Sequence, residues 1–208
     1  LNFQGPAGNL EAILIQPETA PVAAAVVCHA HPLHGGMMHF KVIFRAAKAL
    51  QARGVATLRF NFRGVGRSGG VHDHGRGEQD DAIAALDEMA RRFPGLPLVI
   101  GGFSFGSHMA LRVAARDPRP AAVLVMGLPV ASLTDPEFAD AVRVPRLFVH
   151  GENDVYGGRD VITGWVARLP EPKQLVVVDG SDHFFTGHLD PLQAAVEAWA
   201  ATTPWQRR

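Results

Sequence analysis

The sequence predicts an α/β fold: a doubly wound, mostly parallel sheet with helices on both faces and an antiparallel hairpin at its N-terminal edge. Three features point to it. Short apolar or β-branched runs alternate with stretches of helical periodicity, as expected of strands buried on both faces between crossover helices. Two extended runs at the start are separated by Gly5-Pro6-Ala7-Gly8-Asn9, which is turn chemistry throughout. Further on, Gly102-Phe103-Ser104-Phe105-Gly106 joins an unbroken apolar run to a helix-like one, the context of a sharp strand-to-helix turn.

In chain order, residues 1–4 and 10–16 form the expected hairpin. Buried parallel strands follow at 23–29, 55–60, 98–103, 121–127, 146–150 and 174–178. Residues 40–53 place Val42, Ile43, Ala46 and Leu50 on one face and meet Gly54 where a helix C-cap is expected. A second helix, 78–93, carries Glu78, Asp80 and Asp81 in its first turn and Arg91 and Arg92 in its last, matching the helix dipole at both ends. Its inward stripe is Ile83, Leu86, Met89, Ala90 and Phe93. A third, 105–116, follows the serine turn. Residues 159–169 turn Val161, Ile162, Trp165 and Val166 inward, and the last helix spans 191–201, with Asp190 as N-cap and Pro191 at the first helical position. With 208 residues and neither repeats nor a low-complexity linker, one domain over 1–208 is expected.

The formal charge is zero and Lys and Arg are scattered, so no basic stripe offers a footprint for nucleic acid or anionic lipid. No apolar run approaches the roughly 20 residues that span a bilayer. Cys28 is alone, which precludes an internal disulfide and places the thiol in the core. These features predict a cytoplasmic protein with neither nucleic acid nor membrane as partner. They say nothing of its oligomeric state.

Gly102 and Gly106 are small enough for strand and helix to approach closely at Ser104, which makes this residue the candidate nucleophile. The N–H of Phe105 then points at whatever oxygen an attacked carbonyl develops. A serine hydroxyl needs a base to take its proton and an acid to orient that base. Candidates follow the ends of the last two strands, in Gly151-Glu152-Asn153-Asp154 and Asp179-Gly180-Ser181-Asp182-His183. His183 is the candidate base. Among Glu152, Asp154, Asp179 and Asp182, Asp154 is preferred as the acid, because Asp182 adjoins His183 in sequence, where side chains diverge.

With these residues in order, the sequence resembles the α/β-hydrolase superfamily, and within it the small, cap-less, dienelactone-hydrolase-like esterases. The resemblance runs from the hairpin to the last helix and takes in His29-Ala30-His31-Pro32-Leu33-His34-Gly35-Gly36 and Asn61-Phe62-Arg63-Gly64-Val65-Gly66-Arg67-Ser68. It implies that the first of these loops supplies a second oxyanion donor. Leu33 N–H is the candidate, since Pro32 has none to give, although His-Pro stands here where many relatives carry His-Gly. It also implies that residues 128–144, where larger relatives insert a cap, are too few for a lid. The site would be open, with Met37, Leu128, Val155, Tyr156, Phe184 and Phe185 as an apolar pocket beside Leu33 and Phe105. The expected activity is hydrolysis of small carboxylic esters or thioesters through an acyl-enzyme, with no metal and no organic cofactor. Lactone hydrolysis, peptide hydrolysis and a non-catalytic binding role are the alternatives.

Other signals have plainer readings. His29, His31, His34 and His39 suggest a metal site, but neither a cysteine cluster nor an H-E-x-x-H helix accompanies them, so they are read as a histidine-rich loop. His72-Asp73-His74 is read likewise, and His150 as strand-end structure. Residues 64–69 match G-x-G-x-x-G after a strand, yet no helix opens at the third glycine as a dinucleotide site requires. They are expected to form a tight loop beside the cleft.

Overall fold

In the computed structural model, which describes residues 1–203 and 205, the hairpin comprises β1 (Asn2–Gly5) and β2 (Gly8–Ile15). Strand β3 (Ala23–Cys28) leads through a loop to helix α1 (Lys41–Ala52), and β4 (Val55–Phe60) through a second loop to α2 (Arg76–Arg92). Strand β5 (Leu98–Phe103) turns at Ser104 into α3 (Phe105–Arg116). The chain continues through β6 (Pro120–Met126), β7 (Arg146–Gly151), α4 (Arg159–Arg168), β8 (Lys173–Val178) and α5 (Leu189–Thr202). The eight strands form one sheet in the order β1-β2-β4-β3-β5-β6-β7-β8. Only the β1/β2 and β2/β4 pairs are antiparallel.

The period-2 alternation of a strand sorts its residues onto the two faces. Ala24, Val26, Cys28, Leu58, Ile100, Val123 and Phe148 pack with α2, α3 and α4, while Ala25, Val27, Val55, Val99, Leu124 and Val149 pack with α1 and α5. Both sets are fully enclosed, which explains why the central strands read as unbroken apolar runs. Because β3 to β8 are parallel, all their C-terminal ends share one edge, and the loops that carry the candidate chemistry gather there.

Two helix starts differ from expectation. Helix α5 begins at Leu189 with His188 as N-cap, so Asp190 lies inside the first turn and pairs with Arg45 at 2.7 Å. Pro191 is accommodated at the third position, where a helix needs no N–H donor. Helix α2 begins at Arg76, and two of its three early acids are buried rather than exposed. Glu78 accepts the N–H groups of Asp73 and Gly75, each at 2.8 Å. Asp81 takes a bidentate pair from Arg63, at 2.9 and 2.8 Å, and also the Arg63 N–H at 3.0 Å.

This second pair anchors the loop after β4 to the helix that follows it. Asp81→Asn leaves the enclosed Arg63 guanidinium without its counter-charge, at an expected cost of about 3–5 kcal/mol. Urea unfolding would measure the loss, and an unchanged midpoint would show that the pair is dispensable.

Candidate active site

Ser104 sits at the tip between β5 and α3 with φ 55° and ψ −120°, a backbone conformation that a non-glycine residue adopts only where its surroundings enforce it. The surroundings do so by close approach. A Cβ on Gly102 would lie 2.3 Å from the Gly106 carbonyl, and one on Gly106 would lie 2.4 Å from the carbonyl oxygens of Cys28 and His29. The Ser104 N–H donates to Met126 O at 2.9 Å, tying the turn to β6. Phe105, as the first residue of α3, has an N–H with no acceptor within the helix.

Three loops meet at this turn. His183 Nε2 lies 3.0 Å from Ser104 Oγ, and its Nδ1 lies 2.7 Å from Asp154 Oδ2. A carboxylate beside Nδ1 holds the proton on that nitrogen, which leaves the Nε2 lone pair to accept from the hydroxyl. Both His183 and Asp154 are buried, so their contact is poorly screened by water. The His183 ring is boxed edge-on by Tyr156 and Phe184, at centroid distances of 4.7 and 5.1 Å.

The other acids have different partners. Glu152 accepts from Gly180 N–H at 2.7 Å and from Arg159 at 3.0 Å, Asp179 pairs with Arg159, and Asp182 accepts from Thr186 N–H at 2.9 Å.

The pocket differs from expectation in part. Met37, Phe184 and Phe185 line a trough of about 430 Å³ between residues 35–41 and 184–189, with Phe40 and Leu189, which the sequence did not single out. Leu128, expected at the pocket, is instead 1 % exposed and packed in the core, and Phe185 is enclosed with its ring against Phe103. Val155 is 82 % exposed and reaches outward. A larger cavity, about 840 Å³, opens at the opposite end of the sheet beside Pro120, Arg146 and Lys173, remote from Ser104.

The Leu33 N–H also departs from expectation. It donates to His31 Nδ1 at 3.2 Å inside its own loop and is therefore not free. His31 stacks on His34 at 4.4 Å and lies 5.0 Å from both His72 and Phe105. His29 is enclosed: its Nδ1 faces Ala30 O at 2.7 Å, while its Nε2 accepts Phe62 N–H at 3.0 Å, linking the loops after β3 and β4. Burial lowers its pKa to about 4, partly offset by the Ala30 carbonyl. Among the described residues, no group of three or more His, Cys, Asp or Glu side chains is placed to hold a metal ion. The loop at residues 64–69 closes on itself, Gly64 N–H to Gly69 O at 3.1 Å, and the next helix starts only at Arg76.

Residues 23–198 match the family model described as an alpha/beta hydrolase domain. The chain belongs to the α/β-hydrolase family. An α-β serine hydrolase homologue from Coxiella burnetii is 35 % identical, with a TM-score of 0.88 and 95 % of each chain covered. A serine hydrolase without a lid from Xanthomonas campestris is 33 % identical, with a TM-score of 0.89, covering 100 % of this chain and 95 % of its own. A dienelactone hydrolase from Anabaena variabilis, 21 % identical with a TM-score of 0.81 and covering 98 and 96 %, shares the fold.

This α/β hydrolase thus has the cap-less, dienelactone-hydrolase-like architecture that its sequence resembles. The segment between β6 and β7 holds only two short 3₁₀ turns, Val130–Ser132 and Pro136–Ala141. Among the described residues, no helix is long and apolar enough to cross a membrane.

Sequence reasoning named Tyr156 as pocket lining and His150 as strand-end structure, but not their contacts with Asp154. Tyr156 N–H donates to Asp154 Oδ1 at 2.8 Å, and His150 lies beside the same carboxylate. The available signal was the spacing of His150 four residues before Asp154, just past a strand end.

Proposed function

We propose that this α/β hydrolase cleaves carboxylic esters or thioesters through an acyl-enzyme. The observation that carries the reading is the unbroken contact from Ser104 Oγ through His183 to Asp154, on a serine held at positive φ. His183 takes the hydroxyl proton as Ser104 attacks the acyl carbonyl, and Asp154 stabilises the imidazolium that forms. His183 then protonates the departing alcohol or thiol. In the second half it activates water, which releases the acid and restores the serine.

Phe105 N–H stabilises the oxyanion. Leu33 N–H joins it once released from His31 Nδ1. The trough beside Phe184 and Met37 takes the acyl or alkyl group on its mostly apolar lining, with His39, Lys41 and Thr186 at the same trough. The serine hydrolase homologue from Coxiella and the serine hydrolase from Xanthomonas support the coarser reading of a serine hydrolase.

A fluorophosphonate probe reacts quickly only with an activated serine. Mass spectrometry is expected to find its adduct on Ser104, and a protein left unlabelled would overturn the reading. In a panel of matched substrates, esters or thioesters should turn over fastest. Faster cleavage of the amide would mark a peptidase instead.

A further inference from the structure

Asp154 has a second imidazole beside it. His150, on β7, is 1 % exposed, and its Nε2 lies 2.7 Å from the Gly157 carbonyl and 3.4 Å from Asp154 Oδ2. Both neighbours are acceptors, so the proton resides on Nε2 and is donated to the Gly157 carbonyl, with Asp154 Oδ2 close beside the ring but outside hydrogen-bond geometry. Gly157 and Asp154 belong to one tight turn: Gly157 N–H donates to Asp154 O at 3.2 Å, and Asp154 N–H to Gly151 O at 3.3 Å. The carboxylate is therefore held at both oxygens, Oδ1 by the Tyr156 N–H and Oδ2 by His183, with the His150 ring alongside.

We propose that His150 is a positioning residue for hydrolysis: its Nε2–H fixes the turn carrying Asp154 onto the end of β7 and steadies the charge on the oxygen that orients His183. The ring does not reach substrate. Burial keeps the His150 imidazole below the usual histidine range, against the pull of Asp154, so it donates as a neutral group while His183 gains and loses its proton. Simple filling of the strand end would require no particular nitrogen. Here the tautomer matters, because a proton on Nδ1 would set an Nε2 lone pair against two acceptor oxygens.

The kinetic consequence rests on the proposed Ser104 mechanism, whereas the tautomer can be read in the resting protein. Ring ¹⁵N spectra of the wild type should show His150 protonated at Nε2, and protonation at Nδ1 would overturn the proposal. His150→Leu should lower kcat toward a p-nitrophenyl ester by roughly 10- to 100-fold, the range for losing an outer hydrogen-bond partner, with KM nearly constant. It should also shift the low-field His183 Nδ1–H resonance. His150→Gln, whose amide can supply an N–H, should recover most of the rate. Wild-type kcat in folded His150→Leu, or equal loss in both variants, would overturn the proposal. Should His150→Leu fail to fold, the tautomer and His150→Gln still decide. Activity surviving in Ser104→Ala would instead remove the mechanism and leave the His150 tautomer result standing.

Discussion

Ser104→Ala should lower kcat toward a p-nitrophenyl acyl ester by roughly 10⁶-fold, the scale seen when the serine of such a triad is deleted. The folded state should be unaffected, because alanine keeps the same Cβ at the same backbone angles and the turn is tied through the Ser104 N–H and the two flanking glycines. Some acceleration over water should remain, since the Phe105 N–H and the trough are still in place. Initial rates on purified protein, read beside a thermal melt, separate the two effects. A variant that melts like the wild type and also turns over like it would end the assignment of Ser104 as nucleophile.

Asp154→Asn should cost about 10⁴-fold in kcat, with the protein still folded at the assay temperature. The asparagine amide fits the same space, but it no longer holds the His183 proton on Nδ1. An imidazole protonated at Nε2 presents a donor to Ser104 Oγ, where an acceptor is needed. Asp182→Asn is the control. Its carboxylate accepts from Thr186 N–H within the histidine loop and does not hold the His183 Nδ1 proton, so most of the rate should survive. If the Asp182 variant lost the larger factor, the acid role would move to that residue.

The strands and helices were legible because the sheet is covered on both faces, which writes itself into the chain as apolar runs and one-sided helices. Ser104, Asp154 and His183 were legible as neighbours because parallel strands deliver their following loops to one edge. What could not be read depends on contacts between distant residues. Glu78 and Asp81 look like ordinary first-turn acids, and only the Arg63 side chain and the loop before α2 make them interior groups. Leu128 has the same apolar character whether it lines a trough or fills a core. Pattern alone does not separate the two. Pro32 narrowed the candidates for a donor N–H to its neighbours, but the orientation of the His31 ring decides whether Leu33 is free.

The loops carrying Asp154 and His183 are sewn to each other by hydrogen bonds from main-chain N–H groups and by close packing. Asn153 N–H donates to Ser181 O at 2.8 Å, Gly180 N–H donates to Glu152 Oε2 at 2.7 Å, and a Cβ on Gly151 would sit 2.4 Å from Asp182 O. Across the trough, Met38 is pinned by Asn61 and Arg59, yet the side chains of Leu33, His34 and Met37 on the same stretch project into solvent. The two banks therefore differ in how much remodelling they tolerate. Selection for new esters, in nature or in the laboratory, should write its changes on the exposed side chains at 33, 34 and 37, leaving Gly36, whose Cβ would strike the Ala30 carbonyl, and the sewn backbone of the Asp154 and His183 loops as the invariant frame of the reaction.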